Sequence, residues 1–368
     1  MKICVTGLRG IPGVMGGVET HCEELLPRIA QTHPDLEIEV CGRAHYIGAE
    51  PSFIGRVRIT PLPSTTGKSS EAIVSTLFGI WHARKVRARL LHIHAIGPAI
   101  LTPIARLLGL RVVFTHHGAD YERAKWGRMA RLFLRLGEQM GMRFSNHVIC
   151  VSSSLKDMMV QRYPAVADRI SFIPNGAATL PALDRSDAEI LEDYGLKRQS
   201  YLLSVARLVP EKGLACLIQA HAESETKKTL VIAGAAMHGD AYADILKAMA
   251  GENVLFLGAV SRNILGALYR NAAIFILPSF HEGLPIAALE AISSDCPTLL
   301  SNIPANRDLG LPDGHYFPVG DVRALAERLR GRQKLPGDFA EVKRRFDWDL
   351  IAEETVGVYH KAGRHQGA

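Results

Sequence analysis

Apolar residues along this chain fall into short runs that alternate with longer stretches of helical spacing. The runs 2–5, 38–41, 57–60, 91–94, 112–115, 148–151 and 170–173 read as one series of strands, and 201–205, 230–233, 254–257, 274–277 and 298–301 as a second. Segments 18–30, 214–222 and 287–292 repeat apolar residues at helical intervals. Alternation of this kind predicts parallel sheets with helices on both faces. Between the series, Pro174-Asn175-Gly176 is turn chemistry directly after a strand, and 184–195 reads as a polar, acidic helix. The pattern therefore predicts an α/β fold of two doubly wound, Rossmann-like domains, 1–175 and 176–345, facing across a cleft. Ligands in such sheets bind at the carboxyl ends of the strands.

Length agrees with that division, since 368 residues exceed the usual size of one domain. No run of eighteen apolar residues occurs, so no membrane-spanning helix is expected, and the short apolar start at 2–5 reads as a first strand rather than a signal peptide. Six cysteines at 4, 22, 41, 150, 216 and 296 include no C-x-x-C pair, which fits buried free thiols in a reducing, cytoplasmic setting. Charge is uneven: residues 1–175 hold 22 Lys/Arg against 13 Asp/Glu, while the remainder is slightly acidic. A basic half predicts that it faces something anionic, with phosphate, nucleic acid and an anionic membrane as the alternatives.

Four separated motifs carry chemistry. After the first strand, Gly7-Leu8-Arg9-Gly10-Ile11-Pro12-Gly13-Val14-Met15-Gly16-Gly17-Val18-Glu19 opens a helix. Glycines let the backbone approach an anion, and the helix start presents free N–H groups, so Gly16 and Gly17 are candidate donor contacts. The spacing is neither G-x-G-x-x-G nor a P-loop. Gly67-Lys68-Ser69 imitates the end of a P-loop, but Leu62 stands where its first glycine belongs. His116-His117-Gly118 closes a strand at its carboxyl end, where His117 can meet a phosphate or a reacting hydroxyl. His92 and His94 share one strand face without a nearby carboxylate or cysteine in sequence, and no metal is expected.

In the second half, Arg207 ends a strand and Lys212 precedes a helix, two cations suited to a diphosphate. The segment His281-Glu282-Gly283-Leu284-Pro285-Ile286-Ala287-Ala288-Leu289-Glu290 follows the strand 274–277. Gly283 and Leu284 offer backbone N–H groups for phosphate. Glu282 is expected above the cleft, touching the donor sugar. Glu290, two turns along the same helical face, is placed to take ribose hydroxyls.

These pieces, in this order, resemble glycosyltransferase family 4, of GT-B fold. The resemblance runs from Gly16-Gly17-Val18-Glu19 through His117-Gly118, Arg207 with Lys212, and Glu282 with Glu290. Phe346-Asp347-Trp348 and Tyr359 are similar to the family's last helix, so 346–368 is expected to cross back to the first domain. The opening Gly7-Leu8-Arg9-Gly10-Ile11-Pro12 resembles a branch that builds bacterial surface polysaccharides and includes rhamnosyltransferases. Two places depart from the family's habit. Glu282-Gly283-Leu284-Pro285 lacks a second glycine, and Asn302-Ile303-Pro304-Ala305-Asn306 stands where an acidic residue is common.

The resemblance implies a retaining, metal-independent hexosyltransferase without a cofactor. The second domain would hold the nucleotide-diphosphate sugar and the first would face the acceptor, a saccharide or lipid-linked saccharide of polysaccharide or lipopolysaccharide synthesis. Arg207, Lys212, Glu282 and His117 are its candidate catalytic residues, with His117 positioning sugar or acceptor. A same-fold nucleotide-sugar epimerase and a non-catalytic carbohydrate-binding protein remain as alternatives. Nucleic acid is not expected, because no aromatic residues interleave with the basic ones. Between Arg84 and Arg143, twelve Lys/Arg stand against three Asp/Glu. There Trp126, Met129, Phe133, Leu136 and Met140 recur at helical spacing beside Arg128, Arg131 and Arg135, which predicts a peripheral helix on the anionic inner face of a membrane.

Overall fold

A computed structural model describes residues 1–363, except 66, 68, 69, 123–125, 179, 181–183, 237–240, 332–334, 336 and 337. Lys68 and Ser69 of the P-loop imitation thus lie outside the described residues. Contacts divide the chain into two units, Met1–Gly176 with Trp348–Ala368, and Ala177–Asp347.

The first unit is built on eight strands: β1 Lys2–Thr6, β2 Glu37–Arg43, β3 Ser52–Ile54, β4 Val57–Leu62, β5 Leu90–His94, β6 Arg111–His116, β7 His147–Cys150 and β8 Ile170–Phe172. Their order across the sheet is β3-β4-β2-β1-β5-β6-β7-β8. Every pair is parallel except β3 with β4. That antiparallel edge strand was not expected. Its residues Ser52 and Phe53 are exposed, so no buried apolar run announces it. The central strands are buried on both faces, and β5 reads Leu90-Leu91-His92-Ile93-His94 with every residue buried.

Parallel neighbours need crossovers, and a right-handed crossover places its helix according to the direction in which the chain steps across the sheet. The step from β1 to β2 goes one way and carries the helix Gly17–Thr32. The steps β4 to β5, β5 to β6 and β6 to β7 go the other way and carry Glu71–Lys85, Thr102–Leu107 and Arg128–Phe144 on the opposite face. The final helix, Trp348–Gly363, packs against Gly17–Thr32 and against β5 and β6. Its Tyr359 hydroxyl meets His92 Nδ1 at 2.8 Å, and Arg89 donates to the Gly363 carbonyl at 2.7 Å. The Trp348 ring covers Gly176, where a Cβ would come within 2.4 Å of it.

The second unit has six strands, β9 Tyr201–Val205, β10 Thr229–Ala233, β11 Val254–Gly258, β12 Ile274–Leu277, β13 Thr298–Ser301 and β14 Tyr316–Phe317, in the order β11-β10-β9-β12-β13-β14. All pairs are parallel. The two-residue β14 escaped the sequence pattern because it is too short to show a period. One side of this core joins Leu202, Leu217, Leu230, Ile232, Ile276 and Leu299, all buried. The expected acidic helix is shorter than 184–195, spanning Asp187–Glu192 behind a capping box at Ser186.

The amphipathic reading of Arg128–Phe144 needs correction. Trp126, Phe133 and Met140 are half-buried, so they do not belong to an outward stripe. The buried face is Leu134, Gly137, Glu138, Gly141 and Met142. Phe133 and Met140 sit at its border because the true apolar ridge on the outer side runs through Met129, Leu132 and Leu136.

His92 is fully buried, and its second ring nitrogen meets the Thr115 hydroxyl at 2.6 Å. Tyr359→Phe removes one of its two partners and leaves a ring nitrogen unpaired in the core. We expect a loss of about 1–3 kcal/mol, measured as a lower midpoint in urea unfolding followed by circular dichroism.

Candidate functional site

In each sheet the strand order reverses once, between β1 and β5 in the first unit and between β9 and β12 in the second. Loops leaving the carboxyl ends of such neighbours turn to opposite faces and open a crevice between them. Residues singled out from the sequence lie on the loops at these two places, Gly16, Gly17 and His117 in the first unit and Arg207, Lys212 and Glu282 in the second.

In the first unit, the glycine-rich loop leaves β1 and ends where Gly17 starts the helix Gly17–Thr32, with Gly16 as its N-cap. Arg9 in that loop donates from its backbone N–H and Nε to Glu19 Oε1 at 3.1 and 3.0 Å, and its Nη2 reaches Glu19 Oε2 and the Met15 carbonyl. A Cβ on Gly16 would lie 2.1 Å from Glu19 Oε2, so the glycine at 16 is demanded by this ion pair. Gly17 is exposed with open space around its Cα, which keeps the first N–H groups of the helix accessible. Gly7, at φ 96°, brings the loop against β5, and a Cβ there would lie 2.3 Å from the His94 carbonyl.

His94 ends β5, followed by Ala95 in the left-handed region at φ 69°. Its Nδ1 meets His117 Nε2 at 2.9 Å, and its Nε2 lies 3.6 Å from the Cys22 sulfur. His21, from the helix Gly17–Thr32, sets its ring edge-on to His117 at 5.1 Å and pairs Nδ1 with Asn175 Oδ1 at 2.9 Å. His21, His94 and His117 bring one ring nitrogen each within 4.8 Å of one another, the arrangement among the described residues that could receive a transition metal. His21 and Asn175 were missed in the sequence. They lie 154 positions apart, and a histidine inside an amphipathic helix carries no motif.

Burial holds these imidazoles neutral. It lowers His21 to about 4 against the opposing effect of its hydrogen bond to Asn175. It lowers His92 to about 3 and pushes His94 and His117 well below the ordinary value, with neighbouring histidines adding to the shift. His116, next in sequence to His117, points elsewhere: its Nε2 meets Glu138 Oε2 at 3.1 Å. Burial would raise the Glu138 carboxyl, but hydrogen bonds from His116, Arg162 and Tyr163 prevail and lower it to about 2.

In the second unit, Arg207 follows β9 by two residues, and its loop is fixed by Ala206 N–H to the Ala233 carbonyl and Leu208 N–H to the Ala235 carbonyl. Lys212 lies in the short turn Pro210–Lys212, just before the helix Leu214–Ser224. Gly213, at φ 66°, lets this turn press on the loop after β12, since a Cβ there would lie 2.1 Å from the Pro278 carbonyl. Phe280 N–H also donates to the Glu211 carbonyl at 2.9 Å. The result is contact between two residues 70 positions apart: Lys212 Nζ donates to Glu282 Oε1 at 2.5 Å.

The Glu282 loop is braced from behind. Ser279 Oγ donates to Glu282 Oε1 at 2.7 Å, Ser301 Oγ to the Ser279 carbonyl at 2.5 Å, and Asn306 Nδ2 to the Ser301 carbonyl at 2.8 Å. Ser279, Ser301 and Asn306 are fully buried. Asn306, read from the sequence as a departure from the family's habit, is thus part of the support of the loop. Serines inside apolar strand ends gave no signal of this role.

Glu282 and Glu290 do not share a helical face. The helix starts only at Ile286, with Pro285 as its N-cap, because proline supports a helix start but cannot continue one. Glu282, Gly283 and Leu284 therefore lie in the loop, with Gly283 partly exposed, the Glu282 side chain largely covered and Leu284 buried. Glu290 is buried on the helix Ile286–Ser293, 3.4 Å from the Tyr269 hydroxyl and 3.6 Å from the Arg262 guanidinium.

The neutral histidines make stability depend on pH. Their folded values lie below the ordinary 6.5, so the unfolded chain takes up protons that the folded chain refuses. The stability they contribute is complete above about pH 6.5 and is lost as pH falls towards about 4 for His21 and about 3 for His92. Each proton of difference adds about 1.4 kcal/mol per pH unit to the slope. Melting temperature should fall between about pH 6.5 and 4.5, above the window in which Glu138 is protonated on unfolding, and His92→Gln should flatten that fall.

Two family models match, Glycosyltransferase Family 4 over residues 15–179 and Glycosyl transferases group 1 over residues 186–334, together well over half of the chain. The UDP-Gal:alpha-D-GlcNAc-diphosphoundecaprenol alpha-1,3-galactosyltransferase of Escherichia coli is 29% identical over 67% of this chain and 66% of its own length. The O-antigen chain mannosyltransferase RfbU of Salmonella typhimurium is 23% identical over 62% of this chain and 63% of its own. The chain thus spans just under two thirds of these relatives. Anabaena Alr3699/HepE, solved in complex with UDP and glucose, superposes with a TM-score of 0.75 over 98% of this chain and 99% of its own, at 19% identity, and shares the GT-B fold. With one family model matched in each half, the chain belongs to glycosyltransferase family 4.

Proposed function

We propose that the chain transfers a hexose or deoxyhexose from a nucleoside-diphosphate sugar to a saccharide acceptor of surface-polysaccharide synthesis, with retention at the anomeric carbon. The observation that carries this reading is the switch point of the second sheet. There a lysine and a carboxylate are held in contact at 2.5 Å, with Arg207 on the loop after β9 and partly exposed Gly283 on the loop after β12. Breaking a glycosyl phosphate develops negative charge on the departing diphosphate. Arg207 and Lys212 supply fixed positive charge against it, together with N–H groups at Gly283 and Leu284. Glu282, kept in place by Ser279, would then hold donor-sugar hydroxyls, and Glu290 the ribose. In the first unit, Gly16 and Gly17 offer N–H groups to the donor phosphates, and His117, whose Nε2 is turned to His94, offers its other nitrogen to sugar or acceptor. Retention follows if the acceptor attacks from the side of the leaving group and a departing phosphate oxygen takes its proton.

Two relatives support the acceptor class, since their names specify a diphosphoundecaprenol-linked sugar and an O-antigen chain. On that ground we propose a lipid-linked acceptor. The direct test is release of nucleoside diphosphate from a panel of nucleotide sugars, with and without acceptor. An epimerase would convert donor without releasing nucleotide, and a binding protein would do neither.

Arg207→Ala and Lys212→Ala should each lower kcat/KM by about 10²–10³, or about 2–4 kcal/mol. Glu290→Ala should chiefly weaken the free nucleotide in calorimetry, whereas Glu282→Ala should spare that affinity and lower kcat. Equal effects of the two glutamate changes would refute separate roles. Turnover should also survive EDTA, because protein cations carry the leaving-group charge. Loss of activity that Zn²⁺ or Mg²⁺ restores would overturn that statement and direct attention to His21, His94 and His117.

A further inference from the structure

The crossovers that build the first sheet lay three helices side by side on one face. Glu71–Lys85 and Arg128–Phe144 both contact the turn Pro98–Leu101, and Arg128–Phe144 also contacts Thr102–Leu107. Each of the three turns apolar side chains outward. Trp81 is 68% exposed, Leu107 87%, Met129 79% and Leu132 62%, with Phe78 and Leu136 also exposed. A monomer rarely leaves large apolar side chains on three neighbouring elements open to water without a use for them.

Cations interleave with these residues. Arg84 and Lys85 follow Trp81, and Arg128, Arg131 and Arg135 alternate with Met129, Leu132 and Leu136, all of them exposed. The three helices contain two carboxylates, and neither offers charge to a partner. Glu71 is held by Arg43 at 3.0 Å and His45 at 2.8 Å, and Glu138 is buried under Arg162 and Tyr163 at 2.9 Å each. The same Glu138 anchors Arg128–Phe144 from inside, so the outer ridge rests on a fixed helix.

We propose that this three-helix face docks on an anionic lipid surface, with Trp81, Leu107, Met129 and Leu132 entering the interfacial layer and the arginines meeting lipid phosphates. Among the described residues no helix is long and apolar enough to cross a membrane, so the attachment is peripheral. Charge complementarity commits the face to an anionic bilayer, because apolar and basic side chains alternate along one plane as an interfacial helix requires. The proposal does not depend on the donor chemistry, and its test needs no turnover.

The full chain is sedimented with vesicles of phosphatidylcholine, with and without phosphatidylglycerol, at low and high salt. Binding should require phosphatidylglycerol and fall as salt screens the charges. Each basic side chain near an anionic surface is worth about fivefold in partitioning, so Arg128→Glu with Arg131→Glu and Arg135→Glu should lower it at least about a hundredfold. Trp81→Ser with Leu132→Ser should also weaken binding while leaving the salt dependence in place. In the unsubstituted protein, Trp81 emission should shift to the blue on anionic vesicles, and Trp81→Phe should lose most of that shift. Absence of sedimentation at low salt, binding unchanged in both multiple variants, or retention by an acidic polymer alone would overturn the proposal. Nucleotide release measured without vesicles keeps this outcome separate from that of the transferase reading.

Discussion

Two parallel strands cannot be joined by a tight turn, so every step across these sheets obliges the chain to lay a connection on one face or the other. Right-handedness of those crossovers then has two consequences in this molecule. Where the direction of stepping reverses, at β1/β5 and β9/β12, the outgoing loops part and leave a crevice at the carboxyl ends. Where stepping continues in one direction, from β4 through β7, successive helices accumulate on one face. The candidate site and the basic, apolar surface thus share one geometric origin.

The two crevices handle polarity in different ways. At the first, imidazoles are packed so deeply that protonation is suppressed, and the histidines satisfy one another and Asn175, Thr115 and Tyr359 as neutral groups. Removing charge spares the cost of desolvating it. At the second, charge is retained, and Lys212 meets Glu282 with the serine Ser279 sharing the same carboxylate oxygen. A partly withdrawn ion pair is tolerable only when further hydrogen bonds hold its geometry. The chain Asn306–Ser301–Ser279 provides that support across two strand ends. Glycine makes both arrangements sterically possible. At Gly7 and Gly213 a loop backbone comes closer to a neighbouring backbone carbonyl than any side chain would permit.

Much of the architecture was legible in the sequence because buried parallel strands write themselves as continuous apolar runs. All twelve expected strands are present within a residue or two, and the helices after β1, β9 and β12 begin where expected. What was missed lacked such a signature: β3 is an exposed edge, and β14 has two residues. Side-chain periodicity also misplaced the outer face of Arg128–Phe144. A heptad of mixed apolar and basic residues admits more than one stripe, and only packing against Pro98–Leu101 and Thr102–Leu107 selects which is buried.

For the site, residue type and place in the strand–loop–helix order were enough to single out His117, Arg207, Lys212, Glu282 and Glu290. These properties are local, and local chemistry is what a sequence records. Which of them touch was decided by the fold alone. Lys212 meets Glu282 across 70 residues because β9 and β12 are neighbours in the sheet, and His117 meets His94 because β5 and β6 are. Asn175, Ser301 and Asn306 acquire roles only through such neighbours. A hydrogen bond has a range of about 3 Å, and distance along a chain says nothing of distance across a sheet until crossover direction has ordered the strands.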